Sequence, residues 1–269
     1  MSRILHSMLF LTLALVGLAG ERPSRAANCA SPVAYQLLRP LDVPLHVVTV
    51  NLQNREVCVS LAVSRGGIGT SEGFGSLVGR VRPVAALTGT FFSMRNLRPT
   101  GDLVVSGRLV NKGHVGSALA ITRENSPLFM PLSPFRRADF YGYPFAIRGG
   151  PRLLQSGKVV VWLRRDGFHA RSLAGRQQRT AVALSRSGKL LLVASARPVT
   201  LKELAKSLRR LGATEAIALD GGTSSALYYR GRTLVRPRRR LTNVIVVYDS
   251  HRRFQQALGC LAPGLSGHT

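Results

Sequence analysis

In "ALDGGTSSAL", residues 218–227, a carboxylate closes an apolar run and is followed by two glycines and three small hydroxyl residues. An acid placed where a buried strand stops is held by rigid scaffold. Gly221 and Gly222 allow positive φ and let a ligand approach the backbone closely, while Thr223, Ser224 and Ser225 add hydroxyls and N–H donors. One fixed acid, open backbone and small donors make a site for a polar ligand, with Asp220 as its reactive group. The same letters fit an Asp-Gly turn in a hairpin, and on these residues alone the two readings stand level.

Other familiar chemistries have no footing. No zinc-type cysteine or histidine spacing, glycine-rich nucleotide loop or Gly-x-Ser-x-Gly elbow occurs. The expectation is therefore no metal and no cofactor. His114 and His169 lack partners at metal-ligand spacing and read as surface or loop residues. Net charge is +26, from 38 basic and 12 acidic residues. The excess is almost all arginine, whose fork suits phosphate and carboxylate. That implies a phosphate-bearing glycan or another anionic polymer as partner, against the plainer reading of a solvated basic surface. "RGRTLVRPRRR" (230–240) holds six arginines; it reads as an anchor on anionic polymer through counterion release, or as a solvated hairpin near a site that wants positive potential.

Residues 1–26 read as a secretory signal peptide. Arg3 precedes "MLFLTLALVGLA" (8–19), too short to span a bilayer comfortably, and small residues follow. Cleavage is expected after Ala26 or Ala27, with Gly20 as the other option and an uncleaved anchor as the alternative. Removal takes away three arginines and Glu21, leaving 35 basic against 11 acidic residues, or +24. No later segment is apolar for the ~20 residues a spanning helix needs. The reading is an exported chain, periplasmic or extracellular, with residues 27–269 as one domain. Cys29 and Cys260 lie near the ends of that domain, so a disulfide between them is one pairing; Cys58 then reads as a buried thiol. Three free thiols are the other option.

The elements that must hold Asp220 follow from patterning. Short apolar runs are broken by tight polar turns: "SGR" at 106–108, "SGK" at 156–158 and 187–189, and "RGR" at 230–232. Such turns join antiparallel strands. "LHVVTVNL" (45–52) and "EVCVSLAV" (56–63) read as a hairpin across "QNR". One helix is clear: Thr200 and Glu203 form a capping box, Leu201, Leu204, Ala205, Leu208 and Leu211 share a face, and Gly212 ends it. "GFGSLVGRV" (73–81) is a weaker helical stretch. The helix after Thr200 runs straight into "EAIALD" (215–220), which sets Asp220 at a strand end. Strict β-α alternation is missing, so the fold class is α+β: one domain, a mostly antiparallel mixed sheet and a few packed helices.

"ELAKSLRRLGATEAIALDGGTSSALYYRG" resembles the closing segment of the phosphodiester glycosidase family, a helix ending Leu-Gly-Ala, then an apolar strand and Leu-Asp-Gly-Gly. Three further blocks are similar, in the same order. They are "LTGTFFSMRNLRPTGDLVVSGRLV" (87–110), "FAIRGGPRLLQSGKVV" (145–160) and "QRTAVALSRSGKLLLV" (178–193), so the likeness lies within residues 85–250. This chain departs from the family pattern at Thr88, where the family has Asn, and at Gln178, where it has Pro. Thr88 keeps a hydroxyl but lacks the amide's separate donor and acceptor.

The resemblance implies a hydrolase that cleaves a sugar–phosphate phosphodiester at the glycosyl bond. A phosphate monoester leaving group is already charged, with a second pKa of about 6. It needs little help from a general acid, so the usual carboxylate pair can shrink to one. The resemblance makes Asp220 that acid and Arg179 a catalytic phosphate ligand. It assigns Thr88, Gly89, Arg148, Gly149, Gly150, Gly221, Gly222, Thr223 and Ser224 to the substrate, with Arg148 the second arm of a phosphate clamp. Glu72, Asp102, Asp139 and Asp166 are all open as a second carboxylate, Asp102 lying nearest a matched block. Phe91 and Phe92 read as a sugar platform or as core. The alternative function is a polyanion-binding envelope protein that keeps the fold without the reaction.

Overall fold

The structure, a computed structural model, describes residues 31–134, 138–170 and 173–263. The expected signal peptide and Cys29 lie outside them. Described residues form 17 strands in three antiparallel sheets, with three α-helices. The fold class is α+β, as the patterning predicts, with three sheets rather than one.

The first sheet runs β1 (Val33–Leu38), β2 (Leu45–Val50), β13 (Leu190–Ser195), β12 (Thr180–Ser185), β14 (Ala213–Leu219), β10 (Arg152–Gln155) and β11 (Lys158–Val159). Its central strands β13, β12 and β14 are covered on both faces and read as largely continuous apolar runs, whereas the edge strand β1 is half open to solvent. Alternation along each strand sends neighbours to opposite sides. In β14, Ile217 and Leu219 enter the main core, while Ala216 and Ala218 meet the apolar stripe Leu201, Leu204, Ala205 and Leu208 of helix α2 (Leu201–Arg210). The predicted capping box is present: Glu203 N–H donates to Thr200 Oγ1 at 3.1 Å, and Thr200 N–H to Glu203 Oε2 at 2.7 Å. Gly212, at φ 82°, turns the chain into β14.

The second sheet runs β16 (Arg232–Val235), β15 (Leu227–Tyr229), β4 (Ala85–Thr88), β17 (Asn243–Tyr248) and β3 (Cys58–Val63). The third runs β6 (Arg108–Asn111), β5 (Leu103–Val105), β9 (Phe145–Arg148), β7 (Ala118–Ile121) and β8 (Pro127–Met130). Helix α1 (Phe74–Val81) matches the weaker helical stretch. Helix α3 (His251–Leu261) was not expected, although Ser250 caps it and Ala257 and Leu261 face the core.

All four polar turns join antiparallel neighbours: β5 to β6, β10 to β11, β12 to β13 and β15 to β16. The expected hairpin of 45–52 with 56–63 does not form. β2 pairs with β1 and β13, and β3 pairs with β17 in another sheet. Both strands are apolar on both faces, so nothing local favours pairing them over burying each between other partners. Cys58 is buried in β3 as expected, and burial, then the Glu56 charge, pushes its thiol up to about 11. No helix among the described residues is long and apolar enough to cross a membrane.

Candidate active site

Strand β14 delivers Asp220 to a cleft of about 940 Å3. Its main chain is fixed from both sides: Asp220 N–H donates to Gly89 O at 3.0 Å, and Asp220 O accepts from Thr180 Oγ1 at 2.5 Å. Gly221 N–H donates to Asp220 Oδ1 at 2.9 Å. The chain then makes one 3-10 turn, Gly222–Ser224, with Gly222 at φ 61°. A Cβ on Gly221 would stand 2.9 Å from Gln178 O, and one on Gly222 would stand 2.7 Å from Gln177 Oε1. The backbone contact at Gly221 and the positive φ at Gly222 favour glycine at both positions as this loop lies against residues 177–179.

Burial pushes the Asp220 carboxyl up to about 6, while the Ser224 hydroxyl, the Gly221 N–H and the Arg239 charge pull it back. Ser224 Oγ is fully buried and has no hydrogen bond of standard geometry. Its influence is that of a nearby dipole, not of an aligned bond. Among the described residues no second carboxylate lines this cleft, whereas five arginines do: Arg176, Arg179, Arg236, Arg238 and Arg239.

The five are held differently. Arg179 is 2% exposed, and its guanidinium donates to Leu173 O at 2.8 Å, Gly175 O at 2.5 Å and Val199 O at 3.3 Å. Burial lowers its pKa, and among the described residues no ion pair includes it. Arg176 is shared with Glu203 at 2.7 Å. Arg239 stacks on Phe92, 5.3 Å from the ring centroid. Arg238 N–H donates to Thr223 O at 2.8 Å, which ties the basic loop to the loop carrying Asp220. Phe91 and Phe168, 5.2 Å apart, form an apolar wall.

Of the residues expected to touch substrate, Gly221, Gly222 and Thr223 line the cleft with Asp220 and Arg179, and Ser224 is buried beside them. Thr88, Gly89, Arg148, Gly149 and Gly150 are not in its wall. Thr88 Oγ1 donates to Ser224 O at 2.6 Å and accepts from Ala226 N–H at 2.8 Å, so it braces the Asp220 loop from behind. Gly89 packs so tightly on Asn243 that a Cβ would stand 1.9 Å from Asn243 Oδ1. Gly150 N–H donates to Ala218 O at 2.7 Å, and Gly149 packs on Leu219 and Ile217. Arg148 is fully buried; it donates to Gly116 O and Ser133 O and pairs with Asp102 at 3.7 Å. It is consumed as structure, not presented as a phosphate clamp.

The open candidates for a second carboxylate are likewise placed elsewhere. Glu72 pairs with Arg80 at 2.7 Å, Asp102 with Arg148, Asp139 accepts from Tyr141 N–H, and Asp166 accepts from Arg152 N–H. Phe91 and Phe92, read as platform or core, line the cleft, as does exposed His169. Sequence reasoning missed Phe168, Arg176 and the turn of Arg236, Arg238 and Arg239 onto the site. The arginine run was visible; its direction was not. No cluster of His, Cys, Asp and Glu among the described residues could hold a metal ion.

No curated protein matches the chain. Among solved structures, a hypothetical protein from Synechocystis is 18% identical with a TM-score of 0.65, over 80% of this chain and 61% of that one. The chain thus spans less than two thirds of that relative's length. The zebrafish N-acetylglucosamine-1-phosphodiester alpha-N-acetylglucosaminidase catalytic domain, auto-inhibited by its pro-peptide, is 20% identical with a TM-score of 0.67, over 82% of this chain and 85% of that one. A candidate exported protein from Burkholderia pseudomallei is 15% identical with a TM-score of 0.61, over 77% and 74%. At such identities the likeness is one of fold, and a fold hosts many functions. The family is fixed by sequence instead: residues 82–248, more than half the chain, match the phosphodiester glycosidase model, so the chain belongs to the phosphodiester glycosidase family.

Proposed function

We propose that this protein is an exported hydrolase that cleaves the bond between a sugar's anomeric carbon and phosphate in a phosphate-bearing glycan of the envelope or surroundings. The observation that carries the reading is the pairing of one cleft carboxylate, Asp220, with five arginines. In the reaction the anomeric C–O bond breaks, its electron pair leaves on the phosphate oxygen, and water supplies the new oxygen on the sugar. The departing phosphate monoester is stable as an anion, so a protonated second carboxylate is not required. Ionised Asp220 meets the oxocarbenium-like carbon as nucleophile or takes the proton of the attacking water. Arg179 supplies fixed positive charge where negative charge develops, and Arg236, Arg238 and Arg239 hold the phosphate from the rim. Gly221, Gly222 and Thr223 bound the sugar subsite, with Phe91 and Phe168 as its apolar wall. Export is supported by the signal-like residues 1–26 and by the candidate exported protein among the structural relatives.

The test is release of sugar from an N-acetylglucosaminyl phosphodiester by the purified chain beside Asp220→Asn. Loss of at least about a thousandfold in kcat/KM is expected, some 4 kcal/mol of transition-state stabilisation. Equal rates from the two proteins contradict the assignment, and tight, salt-sensitive polymer binding without turnover points instead to the non-catalytic polyanion binder.

A further inference from the structure

Residues 162–168 have two sides. Gly167 and Phe168 line the Asp220 cleft, while Trp162, Arg165 and Asp166 line a second pocket of about 280 Å3, together with Ser117, Arg152 and Gln155. The volume falls just below the roughly 300–1,000 Å3 of small-molecule sites, enough for one ring and not a chain.

Two independent features give this pocket unmet binding capacity. Arg152 is 5% exposed; its Nε donates to Leu154 O and its Nη2 to Glu215, but Nη1 is buried with no hydrogen-bond partner. A buried donor without an acceptor costs about 1–3 kcal/mol, and a small shift of the Arg152 side chain toward a ligand oxygen in the pocket would relieve that cost. Trp162, the only tryptophan of the chain, is 49% exposed at the pocket edge, with the Arg165 guanidinium 4.6 Å from its ring centroid. A large aromatic left half in water beside a polar pocket offers a flat apolar platform.

The chemistry differs from that of the main cleft. Arg152, already paired with Glu215, and Arg165 stand here with the Asp166 carboxylate, so the wall offers donors and an acceptor in near balance. An added phosphate would meet Asp166 as a like charge. Vicinal hydroxyls of a sugar ring both donate and accept, and the ring's C–H face is apolar. We propose that the pocket beside Trp162 is a pyranose-binding subsite, in which ring hydroxyls accept from Arg152 Nη1 and donate to Asp166 while the ring packs on Trp162. The subsite does not depend on hydrolysis at Asp220. A glycan reaching across residues 162–168 would occupy both.

Because Trp162 is the sole tryptophan, emission excited at the red edge, where tyrosine does not absorb, reads this pocket alone. The full chain is titrated with methyl pyranosides of glucose, mannose, galactose and N-acetylglucosamine, and with inorganic phosphate. A saturable emission change is expected for at least one glycoside, half-maximal at about 1–10 mM as befits a single ring. It should be insensitive to salt and weakened at least fivefold in Asp166→Asn and in Gln155→Ala. Gln155 is half-buried at the rim, so the second variant decides the matter if the first does not fold. No saturable change with any glycoside up to about 100 mM, a change unaltered in Gln155→Ala, or saturation by phosphate alone overturns the proposal.

Discussion

Replacing the Asp220 carboxylate should make the protein more stable while it destroys the activity. Burial raises this carboxyl from 3.8 to about 6, a difference of about 2.2 units. At 1.36 kcal/mol per unit this corresponds to about 3 kcal/mol, a ceiling that solvent at the cleft mouth lowers. The folded carboxyl binds its proton more tightly than the unfolded one. The wild-type fold therefore loses stability as pH rises from about 4 to about 6 and carries the whole penalty above that. Asp220→Asn carries none of it and keeps an oxygen to accept the Gly221 N–H. Urea unfolding of both proteins at pH 8 should show the variant ahead by about 1–3 kcal/mol, or several degrees in Tm at roughly 2–4 °C per kcal/mol for a domain of this size. The gap should close below about pH 4. A variant no more stable at pH 8, or a gap unchanged between pH 4 and pH 8, refutes the claim that Asp220 is held ionised against its surroundings.

Turnover needs ionised Asp220, so kcat/KM should fall as pH drops through about 6, and Arg239→Ala should move that limb to higher pH because the Arg239 charge lowers the carboxyl. An acid limb near the ordinary carboxylate value would count against this. Gly89→Ala forces a methyl onto Asn243 Oδ1, 1.9 Å away. It should cost about 1–3 kcal/mol in unfolding experiments and slow turnover, since Gly89 O holds the Asp220 N–H. Thr200→Ala removes the cap of α2 and should cost about 1 kcal/mol, read by urea unfolding, with kcat unchanged.

The position of Asp220 was legible because local signals agreed: a capping box, an amphipathic helix, a glycine stop and a short apolar strand in unbroken order. The polar turns were legible for the same reason, since Ser106–Gly107, Ser156–Gly157 and Arg230–Gly231 all require positive φ at both positions. Non-local choices were not. Arg148 ends β9 and Arg179 precedes β12, each in a matched block, yet one is buried against Asp102 and two carbonyls while the other edges the cleft. Nothing in either local sequence encodes that partner. The run 230–240 displayed its charge but not its direction, which depends on the Arg238 to Thr223 bond and on the bridge between Glu72 and Leu241. The hairpin of β2 with β3 failed because β2 is taken on one edge by the preceding β1 and on the other by distant β13, while β3 finds its partner in distant β17.

The central claim, that the sugar carbon and not phosphorus is attacked, is tested most directly by hydrolysis of a glycosyl phosphodiester in 18O-water. The released phosphate monoester, examined by 31P NMR, should carry no 18O, the label having entered at the anomeric carbon. An 18O-shifted phosphorus resonance would mean that the P–O bond breaks, and would contradict the role given to Asp220.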